Sequence, residues 1–506
     1  MILNTKYTEY AARYKRVRDV VEGEYRLKAF DLSALAASVS DESKLPSTRY
    51  LRPLSPNDKT SYNVMRNQGY INGARFFGAT ARTLSGLMGM LFRADPAWTE
   101  FDARMAYLID NADGGGLSLD QQSQLVAWNT TQIGRHGLLC DMPRANDGKE
   151  VTRADVDAGL RPSIQQYTAE NIVDYNESIV NGSKVLDLLV LREKRIKFND
   201  NKIDRTVDTV YKVYRLSDLG VSVQMYDGEA GAEATGYGSA IGEEIGVTGG
   251  GNVKLERIPF SFVGSINNDP SYDLLPLEPL ADTNIGHYQE SANLRSTSYQ
   301  LSAAQLVISD DKYQRAVDDE EESAEVGTGE GEAIILGSGG SAQFISPDPN
   351  NISASLMEKD EERMAALGAQ LVMSGGQAET AETARIKRAS DVSTLENIAI
   401  NIADAYDKMF MYCHIFMGMD YKYLGKTELN REFYDTKLTA QEIDAQFRLL
   451  QGGGISKRAF DLKMQHGKAI HGSIDLEEMN EEIDEEVGVD FDEVTPSGAT
   501  ITTREQ

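Results

Sequence analysis

Residues 353–380 read SASLMEKDEERMAALGAQLVMSGGQAET, a helix of ~30 Å that stops on Ser374-Gly375-Gly376. Met364, Leu367 and Leu371 give it an apolar edge, and Ser355-Leu356-Met357-Glu358 fits a capping box at its start. Upstream, Pro276 and Pro279 set off a first long helix over Ala281–Val307, ~40 Å in length. Its apolar periodicity is weak: Ile285, Tyr288 and Ala292 fit, but Asn293, Arg295, Ser296, Ser298 and Gln300 fill much of the surface. Such a helix fits poorly in a monomer's core and reads as packing against the same helix of neighbouring subunits. Between the two helices lies an insert, Ser309–Asn350. It begins acidic and continues as Ala333-Ile334-Ile335-Leu336, a Gly-Ser-Gly-Gly turn and Ala342-Gln343-Phe344-Ile345, a β-hairpin pattern. Downstream, a third helix is expected from Thr380 to Met417, with Val392, Leu395, Ala399, Ile402, Met409, Tyr412 and Phe416 on one stripe. A helical hairpin opened by an insert and broken before a further helix suits a chain that contributes one spoke to a ring.

Working outward, Met1–Glu42 leans helical, with Tyr10, Tyr14, Val17 and Val21 at helical spacing. A strong helical pattern runs from Ser61 to Phe92. Its glycines at 69, 73, 78, 86 and 89 predict close backbone packing or a helix broken in two. Leu119–Arg135 reads as a helix leading into Gly137–Pro143, a short buried strand followed by a stop. Strands follow at Lys184–Leu191, Thr206–Leu216, Val221–Tyr226 and Pro259–Val263, rich in β-branched and aromatic residues. Gly228–Gly251 is low in complexity and reads as a flexible surface loop. Beyond the third helix, Leu438–Leu450 and a segment restarting at Ile455 are helical, Gly452–Gly454 is a turn, and an acidic helix near Leu476–Glu486 precedes a loose tail. The expected fold class is mixed α+β, in two to four domains for 506 residues.

The formal charge of −28 is concentrated in two places. Asp318–Glu332 holds eight acids, Ile474–Glu493 eleven, and neither holds Lys or Arg. A reader of DNA sequence would show a basic stripe instead, so any DNA partner is not gripped tightly. No apolar leader and no run of membrane-spanning length is visible, and the expectation is a soluble intracellular product with no membrane partner.

Motifs for chemistry are weak. Cys140 and Cys413 form no metal or redox spacing, and the five histidines lack a zinc pattern. Gly418–Thr427 is two residues too long for a phosphate-binding loop and follows a helix rather than a strand. Gly327-Thr328-Gly329-Glu330-Gly331 sits among acids that would repel a pyrophosphate. Tyr211-Lys212-Val213-Tyr214-Arg215 could stack on nucleic acid, but strand alternation accounts for it more simply. No cofactor and no catalytic residue is expected.

Several short motifs, taken in order, resemble the portal proteins of tailed bacteriophages, in the branch once labelled only as a domain of unknown function. They are Arg82–Gly89 with Phe92–Pro96, Gly134–Pro143, Arg161-Pro162 with Tyr167–Ile172, and Ile258-Pro259-Phe260. They continue with Pro276-Leu277, His287–Ala292, Met364–Leu371 and Glu379-Thr380-Ala381. The resemblance covers residues 60–460, and the chain departs from it in Gly228–Gly251 and in the acidic insert.

The resemblance implies a portal fold in a twelve-subunit ring, the head-to-tail connector at one vertex of a virion's capsid. Residues 1–279 would be the wing, 280–308 the first stem helix, 309–350 the clip and 351–373 the second stem helix. Residues 374–380 would hold the tunnel loop, 381–424 the long wing helix, and 425–506 the crown and acidic tail. Ser374, Gly375, Gly376, Gln377 and Ala378 would be the tunnel loop, with glycine allowing a sharp reversal. Glu358, Lys359, Glu361, Glu362 and Arg363 are channel-wall candidates. Asp318, Asp319, Glu320, Glu321 and Glu322 are candidates for docking at the clip. Implied partners are copies of the chain, double-stranded DNA passing without sequence preference, the terminase large subunit, a head-tail adaptor, and major capsid and scaffold proteins. Another oligomeric virion or scaffold protein is the alternative reading, and a nucleotide-driven packaging enzyme the third.

Overall fold

The computed structural model describes residues 5–39, 49–55, 60–143, 160–180, 182–198, 205–228, 237–251, 253–302, 305–309, 340–345, 351–371, 393–419, 424–431, 433, 440–466, 469–470, 476 and 478–482. In chain order the helices are α1 (Thr5–Glu22), α2 (Glu24–Val39), α3 (Ser61–Gly73), α4 (Ala79–Leu91), α5 (Tyr107–Asp110) and α6 (Leu119–Ile133). They continue with α7 (Glu278–Ser302), α8 (Ile352–Gln370), α9 (Thr394–Met417), α10 (Ala440–Gln451) and α11 (Lys457–His466). The strands are β1 (Ala97–Phe101), β2 (Arg135–Asp141), β3 (Ser163–Thr168), β4 (Ile172–Val180), β5 (Ser183–Phe198), β6 (Arg205–Ser217) and β7 (Gly220–Gly228). After them come β8 (Tyr237–Gly249), β9 (Val253–Lys254), β10 (Phe260–Gly264), β11 (Gln305–Ser309), β12 (Ser341–Ile345) and β13 (Leu424–Glu428). The fold is thus mixed helix and sheet. It divides into two units, Met1–Arg431 and Glu432–Gln506. Because β13 pairs with β1, the residues from 425 to 431 lie in the first unit.

The centre of the first unit grows from the run Arg135-His136-Gly137-Leu138-Leu139-Cys140, every residue of which is buried. A strand buried on both faces must be paired on both edges, and β2 lies between β10 and β3 in an antiparallel sheet. α6 delivers the chain to it. Ser118 and Gln121 form a full capping box at the helix start, and Gly134 ends it in the left-handed region at φ 73°. α9 covers the sheet. Its stripe, including Leu395, Ile398, Ile402, Tyr406, Met409, Phe410 and Phe416, is buried, and Asn401 donates to the Gly264 carbonyl at 2.9 Å. Trp98 and Phe101 of β1 stack edge-on against Phe410 of the same helix.

The second sheet is an antiparallel meander in the order β4-β5-β6-β7-β8-β9. The expected strands of this region are present and longer than their apolar cores. The expected surface loop Gly228–Gly251 is corrected: Tyr237–Gly249 is strand β8, paired to β7 with Val221 opposite Val247 and Met225 opposite Ile241. Glycine there serves packing rather than looseness. Gly250 donates to the Ile415 carbonyl at 2.8 Å, and a Cβ on it would meet the Gly418 nitrogen at 2.4 Å. The Arg135 guanidinium ties the two sheets. It lies 4.4–5.1 Å from the ring centres of Phe262, Tyr175 and Tyr272, and donates to the Pro270 and Ser271 carbonyls.

The glycine-dotted stretch Ser61–Phe92 is two helices, α3 and α4, separated at 74–78. Three other expectations need correction. α7 begins at Glu278 and ends at Ser302, so Val307 lies in strand β11 and not in the helix. β12 pairs with β11 (Gln305 opposite Ile345), and Ala333–Leu336, its expected hairpin partner, lies outside the described residues. α8 starts at Ile352 and Ser355 is inside it, its amide bonded to the Asn351 carbonyl, so the capping box at Ser355 is absent. α9 starts later than Thr380: Ser393 has extended backbone and its hydroxyl accepts from the Glu396 amide, which marks the helix start. In the second unit, α10 and α11 meet through Phe447 and Phe460 across the Gly452–Gly454 turn.

Candidate functional site

α7 and α8 lie side by side and antiparallel. Glu278, Asp282 and Thr283 at the start of α7 line one surface cavity with Arg363 of α8, and Gly286 faces Asp360. His287 meets Glu361 across the pair at 3.2 Å. At the helices' one end, β11 follows α7 and β12 precedes α8, and their pairing closes the insert at its base. At the other end α8 stops, and the Leu395 amide donates to the Leu371 carbonyl at 3.3 Å. The chain between these residues therefore leaves and returns at one point.

The first half of α7 is buried within the subunit, while Asn293, Arg295 and Ser298 of the polar surface expected to face neighbouring copies are exposed. Leu280, Ala281, Asn284, His287, Tyr288, Ser291 and Ala292 are all buried. Asn284, Ser291 and the exposed Asn293 find partners on α3, α4 and the intervening turn. Asn284 accepts from Thr80 and donates to the Phe77 carbonyl at 2.6 Å. The Arg75 amide donates to the Ser291 hydroxyl at 3.0 Å, and Tyr70 donates to Asn293 at 2.7 Å. The helix start is pinned by α1. Glu278 accepts a fork of hydrogen bonds from Arg13 and a further one from Arg16. The Arg13 guanidinium holds the Glu278 carboxyl below its usual range. Towards its C-terminus α7 emerges, and Tyr299 is 78% exposed.

α8 touches the rest of the unit along a narrow strip. Met364 is its buried residue, and Gly368 lies against Thr83 of α4. Glu358, Lys359, Glu361, Glu362 and Arg363 are all exposed. At 100° per residue they spread over an arc of about 200°. Glu361 stands at the edge that turns to His287. Three carboxylates against two cations leave this arc net negative. The other candidates, Ser374–Ala378 and Asp318–Glu322, lie outside the described residues. What the structure adds is their anchorage: each belongs to a segment whose two ends are joined, one by a strand pair and one by the Leu371–Leu395 bond.

A family profile described as a domain of unknown function (DUF4055) matches residues 276–417. That span runs from just before α7 to the last residue of α9. No curated protein matches the chain. Among solved structures, it is similar to a chain in the virion of a native gene transfer agent particle, at 10% identity over 75% of this chain and 86% of that one, with a TM-score of 0.34. It is also similar to a chain in the neck of an empty gene transfer agent particle, at 10% identity over 74% and 86%, with a TM-score of 0.36. Likeness at this level does not establish a shared fold.

Among the described residues no cluster of three or more His, Cys, Asp and Glu could hold a metal ion. No described helix is long and apolar enough to cross a membrane. Gly425, the glycine of the loop-like Gly418–Thr427 stretch, sits in β13 against the Phe410 ring, which is a packing position. One pairing escaped the sequence reading. Cys140 of β2 and Cys413 of α9, both buried, bring their sulfurs to 3.4 Å. The available signal was that each lies in a continuous apolar stretch, one in the central strand and one in the helix covering it.

Proposed function

We propose that this chain is the subunit of a portal ring at one vertex of a phage-like capsid, a non-enzymatic conduit for double-stranded DNA during packaging and ejection. The observation that carries this reading is the α7–α8 pair with one closed excursion at each end. A helix pair of ~28–37 Å forms a wall. The excursion at the β11–β12 end would be the clip, where the terminase and a head-tail adaptor dock. The excursion at the Leu371–Leu395 end would be the tunnel loop, carrying Gly375 and Gly376 into the bore. Repeated around a ring, the net negative arc of Glu358, Lys359, Glu361, Glu362 and Arg363 lets DNA slide, because adhesion to phosphates comes from Lys and Arg. The assembly would also meet major capsid and scaffold proteins.

Negative-stain microscopy of the purified protein tests the reading. Rings with a central hole, twelve-fold in averaged top views, are expected. Monomers or sheet-like assemblies would overturn it in favour of another virion or scaffold component. An ATPase assay on the isolated chain is expected to read blank.

A further inference from the structure

β5 and β6 outrun their neighbours. Pairing of β4 with β5 ends at Ile172 opposite Leu191, and pairing of β7 with β6 at Asp227 opposite Val210. β5 and β6 continue together to Phe198 opposite Arg205. Residues 192–198 and 205–208 thus form a two-stranded arm beyond the six-stranded sheet. A lone ribbon of two strands is marginal in water and gains from a surface to lie on. One face of this arm continues the row Val190, Tyr211 and Val213, which Tyr7 of α1 covers further in. On the arm that face carries Ile196 directly opposite Val207, 50% and 57% exposed.

The charge of the arm is inverted relative to the chain. These segments hold five Lys and Arg against two acids, while the whole chain holds 51 against 79. Lys194 and Arg205 are exposed on the same face as the aliphatic pair, and Arg195 is exposed on the opposite face. We propose that the arm docks on an acidic surface of a second copy of this chain, with Ile196 and Val207 covered and Lys194 and Arg205, on the same face, meeting carboxylates. Charge complementarity selects the occupant, since the protein outside the arm is even more acidic than the average. Nucleic acid fits less well, because phosphates offer nothing to an aliphatic pair. This inference rests on the reading of the chain as a ring subunit and names the surface that joins its neighbours.

Two full-length variants test it: Ile196→Glu with Val207→Glu, and Lys194→Glu with Arg205→Glu. Native mass spectrometry and sedimentation velocity at low and high salt read the assembly. Because these side chains are exposed, circular dichroism and the thermal midpoint of the dissociated chain should match the wild type. Each variant is expected to need at least about tenfold more protein to assemble. The charge variant should also lose the weakening by salt that the wild type shows. Assembly unchanged in both variants overturns the arm while leaving the ring reading intact. Loss of duplex-DNA binding without loss of assembly overturns it in favour of nucleic acid. A wild type that stays monomeric overturns both readings together.

Discussion

The amide of Leu395 donates to the carbonyl of Leu371 at 3.3 Å, so the end of α8 and the start of α9 are held at one point. A segment whose ends already touch contributes little to the position of the helices that flank it. Deleting residues 374–391 and bridging the gap with a short Gly-Ser linker should therefore preserve both helices. Loop-closure entropy changes by only about 0.6 kcal/mol per doubling of length. The thermal midpoint is expected to stay within a few degrees, and the proposed portal role requires that DNA packaging fail. Unfolding of the deletion variant would show that the segment is part of the packing. A companion variant, Gly375→Val with Gly376→Val, should leave rings intact and impair DNA passage.

Asn284 is the most constrained polar residue of α7. It is fully buried, accepts from Thr80 and donates to the Phe77 carbonyl. Asn284→Ala leaves those groups without a partner and should cost about 1–3 kcal/mol in denaturant unfolding. Asn293→Ala, at an exposed position on the same helix, is expected to cost less. Equal losses would mean that α7 is not held through this network.

Two carboxyl groups predict opposite pH dependence. Burial pushes Asp31 up to about 6, while bonds from the Tyr50 and Leu51 amides pull the other way. Its folded form holds a proton more tightly than the unfolded chain does. Its stabilising contribution is therefore full below the ordinary carboxylate range and is lost as pH rises through about 6. Glu278 is held low by Arg13, so its contribution is present above the ordinary range and is lost as pH falls through its folded value. Relative to wild type, Asp31→Asn should gain stability between pH 4 and about 7, and Glu278→Gln should lose less at acid pH than at neutral. Thermal midpoints across pH 3–8 measure both, and parallel curves for either variant would refute its assignment.

The Cys140–Cys413 contact places two thiols inside the interface between β2 and α9. Burial pushes the Cys140 thiol up, away from the reactive thiolate. Ellman's reagent should find no reactive thiol in the native protein and two after unfolding. Rapid reaction of the folded chain would indicate that α9 opens readily from the sheet.

Much of the fold was legible because helices and long strands announce themselves locally. The stripe of α9, the break between α3 and α4, and the buried run of β2 all follow from spacing within 10–25 residues. β8 was missed because a Gly-rich stretch has a weak local pattern, and the pairing of Val221 with Val247 that defines it is not local. The end of α7 was overrun because Leu306 and Val307 suit helix and strand alike, until β12 supplies a partner. Of the candidate site, the exposed charged arc of α8 was readable from composition, and the closure of the two excursions was not.

By itself, the sequence determined that three long helices, α7, α8 and α9, lie within residues 278–417, since a helix depends mainly on neighbouring residues. Only the tertiary structure decided which groups satisfy the polar side of α7, where both interruptions are closed, and that two distant cysteines meet. Those outcomes depend on hydrogen bonds and contacts between residues up to 273 positions apart, and no local pattern encodes such partners.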